Sequence, residues 1–218
     1  EVIKKTRKNL SKEKSLICFI GAPWTLLIYM LGIKKNKNEI NFSKLKNSNL
    51  DTNLIINKLS DYLCLHIENQ INSGADTVQI FDSWAGLIPQ ENLQDFCYNP
   101  NLRIVEFCKK KNIPVICFPK GIKQKYLEFN NIVKPDGLNL DYDIKPEWAK
   151  KNLVDVALQG GLHPLTLLKS DNDMYSETKK YLDTFREVPY IFNLGHGIVP
   201  ETSPDKVKKL INFVREHK

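Results

Sequence analysis

Leu16-Ile17-Cys18-Phe19-Ile20-Gly21-Ala22-Pro23-Trp24-Thr25-Leu26 is the stretch that decides how this chain is read. An apolar run of strand length ends in Gly-Ala-Pro, where Gly permits unusual φ and Pro removes a ladder donor, so the strand stops there. A helix-like segment follows. Trp24 and Thr25 then stand at the carboxyl end of a strand, where α/β folds place their ligand sites, and Tyr29 follows about one helical turn later. The competing reading is a core anchor at Trp24 with ordinary strand-end punctuation around it.

Working outward, six short apolar runs read as strands buried on both faces: Leu16–Ile20, Thr77–Phe81, Pro114–Phe118, Gly137–Leu140, Asp155–Leu158 and Tyr190–Leu194. Amphipathic stretches lie between them. Residues 53 to 72 place Ile55, Leu59, Tyr62, Leu63, His66 and Ile67 on one helical face. The closing segment opens Ser203-Pro204-Asp205, an N-cap followed by Pro at the first helical position, and continues with Val207, Leu210, Ile211 and Val214.

Strands alternating with helices predict a parallel sheet with helical crossovers. No Gly-rich phosphate loop follows any strand, which argues against a dinucleotide or P-loop fold. Instead each strand end carries its own residues: Gly-Ala-Pro-Trp, Asp82-Ser83-Trp84-Ala85-Gly86, Pro119-Lys120-Gly121, Asp141-Tyr142, Gln159-Gly160-Gly161 and Gly195-His196-Gly197. Site residues spread over many strand ends are the pattern of a (β/α)8 TIM barrel, expected here as a single domain over 1–218. Six strands do not close such a barrel. About two are expected before Glu1, which is not Met and sits in what looks like the end of a helix.

The 218 residues carry 32 basic and 25 acidic side chains, a formal charge of +7, so the molecule should attract anions. Lys4–Lys14 and Lys34–Lys46 read as solvated surface rather than a nucleic-acid patch, because no aromatics alternate with the charges. Five cysteines, Cys18, Cys64, Cys97, Cys108 and Cys117, are odd in number and mostly within apolar runs. They read as buried thiols in a reducing compartment. With no long apolar span and no signal sequence at its start, the chain is expected in the cytoplasm, away from membranes.

His196, between two glycines at a strand end, fits a polar site better than a core position. His163, beside Pro164, is equally a loop residue; His66, on the apolar helical face, reads as a satisfied core histidine, and His217 as a terminal solvent residue. Ser83 lacks a G-x-S-x-G elbow, so hydrogen bonding to a ligand carboxylate suits it better than nucleophilic attack; capping is the plainer role for it and for Asp82. Metal binding has little support, since Cys64 and His66 point to different helical faces and Cys117 has no partner at zinc-like spacing.

Taken in order, Gly21-Ala22-Pro23-Trp24-Thr25-Leu26 with Tyr29, Gln79-Ile80-Phe81-Asp82-Ser83-Trp84-Ala85-Gly86, Leu140-Asp141-Tyr142, Gln159-Gly160, and Asn193-Leu194-Gly195-His196-Gly197 with Pro200 closely resemble the uroporphyrinogen decarboxylase family. The resemblance runs from about residue 10 to the carboxyl end. It implies a cofactor-free (β/α)8 barrel, usually a homodimer, that removes carbon dioxide from the four acetates of uroporphyrinogen to give coproporphyrinogen. By motif position it implies that Tyr29, Ser83 and His196 contact the porphyrinogen carboxylates and that Trp24 supports the cleft floor.

The departures are equally informative. The family's Arg-Gln-Ala-Gly-Arg-Tyr segment and the aspartate that binds the pyrrole nitrogens do not occur here, so the resemblance puts the catalytic Asp and Arg before Glu1. The family's Gln-Gly-Asn-Leu-Asp-Pro reads Gln159-Gly160-Gly161-Leu162-His163-Pro164, and its Leu-Asp-Trp reads Leu140-Asp141-Tyr142. Two other readings share the barrel. One is a zinc-dependent corrinoid or thiol methyltransferase, weakened because the expected His-x-Cys is Val115-Ile116-Cys117; the other is a tetrapyrrole-binding barrel fragment without activity.

Overall fold

The computed structural model describes residues 1–36, 39–41, 45 and 50–217, and all six apolar runs fall on strands. The chain is built as two compact units, Glu1–Asp136 and Gly137–Lys218. In the first, helix α1 (Val2–Asn9) leads to β1 (Ile17–Gly21), α2 (Pro23–Met30), an antiparallel ribbon of Lys34–Asn36 with Glu39–Ile40, α3 (Thr52–Ile71), β2 (Thr77–Asp82), α4 (Asn99–Lys110), β3 (Val115–Pro119) and α5 (Tyr126–Val133). Strands β1, β2 and β3 pair in parallel, with Ile20 beside Ile80 and Ile80 beside Cys117.

The turn from β1 into α2 follows the sequence closely. Ala22 is the N-cap in extended conformation and Pro23 the first helical residue, where its fixed φ suits the helix and its missing N–H costs nothing. Asp51 caps α3, its carboxylate accepting from the Leu54 amide at 2.9 Å. The entry to β1 is held by Arg7, which donates to Asp76 at 2.7 Å and to the carbonyls of Ser11 and Lys14, while Asp76 also accepts from the Leu16 amide. Helix α1 buries no residue, so this clamp is its main attachment.

Several expectations are corrected here. β1 is buried on one face only: Cys18 and Ile20 are covered, but Ile17 is 41% and Phe19 66% exposed. β1 is an outer strand and α3 packs on one side of it, so alternation decides which residues are covered. On α3 the buried residues are Ile56, Ser60, Leu63 and Ile67: Leu63 and Ile67 lie on the expected face, but Ile55 and Leu59 are only half-buried and Tyr62 and His66 are exposed. His66 is therefore no core histidine; its ring lies 3.1 Å from the Gln70 amide nitrogen. Four of the five cysteines are buried and Cys64 is half-buried, with all five thiols free. Lys4, Lys5, Lys8, Lys12 and Lys14 are exposed; much of the second lysine-rich run (37, 38, 42–44, 46) lies outside the described residues.

In the second unit β4 (Gly137–Leu140), α6 (Pro146–Asn152), β5 (Ala157–Gly160), α7 (Asp171–Thr184), β6 (Tyr190–Ile191) and α8 (Pro204–Glu216) alternate, with β4, β5 and β6 parallel. β6 is shorter than expected. Gly160 and Gly161 have φ of +80° and +105°, so β5 bends away and pairing resumes only at a single bridge between Leu162 and Leu194. Leu162, Leu167, Met174 and Leu210 form a core on which Val207 and Val214 pack. Ser203 caps α8 by accepting from the Lys206 amide, but Ile211 is exposed rather than buried. His217 is not a free solvent residue either: its Nε2 lies 3.1 Å from Asp183. No described helix is long and apolar enough to cross a membrane.

Candidate functional site

In the first unit the polar strand-end residues converge on the turn after β2. Asp82 follows Val78 and Ile80 on the helix-packed face of that strand and is only 1% exposed. Its carboxylate accepts from the Thr25 hydroxyl at 2.8 Å and from the Asn101 carboxamide at 3.4 Å. Burial raises its pKa from 3.8 to about 6, against the pull of hydrogen bonds from Thr25, Cys97 and Asn101. The same burial, with the Asp82 charge nearby, pushes the Cys97 thiol well up.

Trp24, fully buried, donates its indole N–H to the Trp84 carbonyl at 3.1 Å and stacks on Phe96 with ring centroids 5.2 Å apart. It is a core anchor that ties the first turn of α2 to the turn carrying Ser83. Thr25 Oγ1 also accepts from the Trp84 amide at 3.4 Å. Beyond them Gly86 donates to the Lys120 carbonyl at 2.8 Å, and a Cβ built on Gly86 would lie 2.7 Å from the Gly121 main chain.

Ser83 is half-buried in this turn, and Tyr29 is 57% exposed on α2. Tyr29 meets Trp84 edge to face, with centroids 6.1 Å apart, so Tyr29 and Ser83 flank the same indole-bearing turn. The sequence reading missed an aromatic row on the first three strands. Phe19 contacts Phe81, and Phe81 contacts Phe118, each edge to face at about 6 Å. With Phe19 exposed and Phe81 half-buried, the row offers apolar surface on the first three strands. The signal was present in the alternation: Phe19 and Phe81 sit off the helix-packed positions of β1 and β2.

In the second unit His196 is exposed on the loop after β6. Its Nδ1 accepts from the Gly197 amide at 2.6 Å, so in the neutral ring the proton is on Nε2. Gly195 packs on the main chain of Asp141 and Tyr142. His163 caps the short helical turn Pro164–Leu168, its Nδ1 accepting from the Leu165 amide at 3.1 Å, and its ring lies against Tyr142. This is capping work of the kind an aspartate does. Two buried carboxamides on neighbouring strands, Gln159 and Asn139, hydrogen-bond to each other at 2.6 Å.

Chemically, Tyr29, Ser83 and the His196 Nε2–H are hydrogen-bond donors suited to carboxylate oxygens. Among the described residues no three His, Cys, Asp or Glu side chains converge as a metal site, and Cys117 is buried within β3. Parallel strands joined by helices, with polar residues gathered at their carboxyl ends, define a protein of the (β/α)8-barrel class, present as part of such a barrel. A methyltransferase from Methanosarcina mazei shares this fold at a TM-score of 0.77 and 17% identity, over 98% of this chain and 62% of that one. A B12-independent methionine synthase from Shewanella sp. W3-18-1 does so at 0.69 and 11%, over 98% of this chain and 63% of that one.

The sequence comparisons are more specific. The uroporphyrinogen decarboxylase (URO-D) family model matches residues 1–217, and the chain belongs to that family. It is 38% identical over 222 aligned positions to the uroporphyrinogen decarboxylase of Orientia tsutsugamushi strain Boryong, covering 100% of this chain and 65% of the relative. For the enzyme of that name from Rickettsia bellii strain RML369-C the identity is 39%, with the same coverage. For that of Wolbachia pipientis wMel it is 34%, over 99% of this chain and 63% of the relative. The chain thus spans somewhat under two thirds of the length of these relatives.

Proposed function

We propose that the chain serves uroporphyrinogen decarboxylation, a carboxy-lyase reaction of porphyrin synthesis, by binding uroporphyrinogen carboxylates through Tyr29, Ser83 and His196. The observation that carries this reading is the 38–39% identity to decarboxylases along the whole chain. The placing of Ser83 and His196 after strands β2 and β6, with Tyr29 against the Trp84 turn, supports it. A pyrrole-acetate loses carbon dioxide when protonation of the ring makes it an electron sink; the C–C bond breaks toward the ring, protonation of the resulting methylene carbon gives a methyl group, and loss of the ring proton restores the pyrrole. A residue stabilising the positive ring is central to that chemistry, and the family resemblance gives contact with the pyrrole nitrogens to an Asp, which like the family's Arg-rich segment lies outside the motifs found here. What this chain's own residues supply is binding: donors for the anionic rim and apolar surface for the macrocycle. The +7 charge favours an octa-anionic ligand. The same reading makes the working assembly a homodimer in the cytoplasm.

The test is an anaerobic titration with uroporphyrinogen, followed by quenching of tryptophan fluorescence and by carbon dioxide release. Binding that weakens about tenfold in Tyr29→Phe and in Ser83→Ala is the expected result, in line with a hydrogen bond to a charged group. Absence of binding by the parent protein overturns the proposal. Binding without carbon dioxide release supports the second reading, a tetrapyrrole-binding chain.

A further inference from the structure

We propose that Asp82 and Thr25 together form a positioning device for Ser83, orienting its hydroxyl toward a ligand carboxylate without themselves touching the ligand. This rests on the binding role given to Ser83 above. A threonine hydroxyl has one proton and two lone pairs. Because the Asp82 carboxylate only accepts, the Thr25 proton is committed to it at 2.8 Å, and a lone pair is left facing the Trp84 N–H at 3.4 Å. One buried anion thereby fixes the acceptor to which the N–H of the peptide after Ser83 donates.

The rest of the turn is fixed from other sides. The Trp84 carbonyl is held by the Trp24 indole at 3.1 Å, and the Asp82 carbonyl accepts from the Lys120 amide at 3.1 Å. Ser83 is thus bracketed by two residues whose polar groups are both engaged, which fixes the backbone from which its hydroxyl projects. Asn101 from α4 donates to the other carboxylate oxygen and also to the Cys97 carbonyl at 2.8 Å, so Asp82 has no freedom to turn away from Thr25. These groups are all nine-tenths or more buried: Thr25 4%, Asp82 1% and Asn101 1% exposed. None of the three reaches the surface on which Tyr29 lies, which makes their role one of placement.

The experiment is a mutant cycle read by uroporphyrinogen affinity, with thermal midpoints recorded alongside. Thr25→Val removes the hydroxyl at constant shape and is expected to weaken binding about five- to tenfold, as Ser83→Ala does, whereas Thr25→Ser stays within about twofold of the parent. In the Ser83→Ala background, Thr25→Val should add less than about a twofold further loss, because the group it positions is gone. Asp82→Asn, which keeps shape but presents a donor, should reproduce the same pattern if Thr25→Val folds poorly. Losses that multiply in the double variant, or parent-like affinity in Thr25→Val, overturn the positioning role while leaving the proposed function intact. An unchanged affinity in Ser83→Ala overturns both.

Discussion

A Cβ built on Gly195 would lie 2.5 Å from the Tyr142 amide nitrogen, so the loop bearing His196 rests main chain on main chain against the segment that follows β4. The obstacle is backbone, which cannot swing aside like the tip of a side chain. Gly195→Ala is expected to cost about 1–3 kcal/mol of stability through overpacking and to displace His196. Urea unfolding and uroporphyrinogen affinity would both register the change. A variant with parent-like stability would mean that the loop moves freely.

Asp82 gives the stability a pH signature. A carboxyl whose folded pKa of about 6 stands above its ordinary 3.8 holds its proton more tightly when folded. Its contribution is therefore complete below about pH 4 and lost as the pH rises through about 6, amounting to about 3 kcal/mol at the upper end. Asp171, held low by hydrogen bonds from Lys206 and Lys209, and Asp183, held low chiefly by Lys179, act in the opposite sense and at lower pH. The difference between parent and Asp82→Asn in unfolding free energy, measured from pH 4 to pH 7.5, isolates the term. A flat difference would contradict the burial of an ionisable Asp82.

Trp24 joins two functions that separate by substitution. Trp24→Phe keeps a ring on Phe96 but leaves the buried Trp84 carbonyl without its indole donor, an expected loss of about 1–3 kcal/mol. Trp24→Ala loses the packing as well and should cost about 3–5 kcal/mol. Equal losses in the two variants, by chemical denaturation, would show that the hydrogen bond contributes most of the effect.

His163 stands where the resembling family has Asp, and its ring nitrogen caps the Pro164–Leu168 turn. His163→Asp should preserve the cap, while His163→Ala should lose about 1 kcal/mol. Thermal midpoints of the three proteins decide the matter; the same midpoint for Ala and His would remove the capping role.

Much of the fold was legible because strand length, Gly-Pro punctuation and capping residues are local signals. Ser203-Pro204 and Ala22-Pro23 start helices as their chemistry dictates. The six strands were likewise found within a residue or two, except that Tyr190–Ile191 is short because the Gly160–Gly161 bend deprives it of a partner. What the sequence does not carry is which side of an apolar element is covered. Phe19 and Cys18 belong to one run, yet only the second meets a helix-packed core. His66 illustrates the same limit on α3, where a shift of one position reverses exposure.

For the site, Tyr29, Ser83 and His196 could be named from strand-end motifs. Thr25 stood in the opening motif, but its tie to Asp82, like those of Asn101 and Cys97, could not be read, because these relations are made by tertiary packing across the chain. Their residue types are unremarkable in isolation. Only the buried carboxylate between them gives them meaning.

The contact between Gly86 and Gly121 has a consequence for how this chain can change over generations. A Cβ at Gly86 would press on the Gly121 main chain at 2.7 Å, and Gly121, at φ +82°, holds a conformation that L side chains rarely adopt. Most packing faults admit compensation, a large residue here for a small one there. This one does not, so the two loops that it joins must vary around a fixed point, and mutational drift in Trp84-Ala85 or Lys120 has to leave both glycines in place.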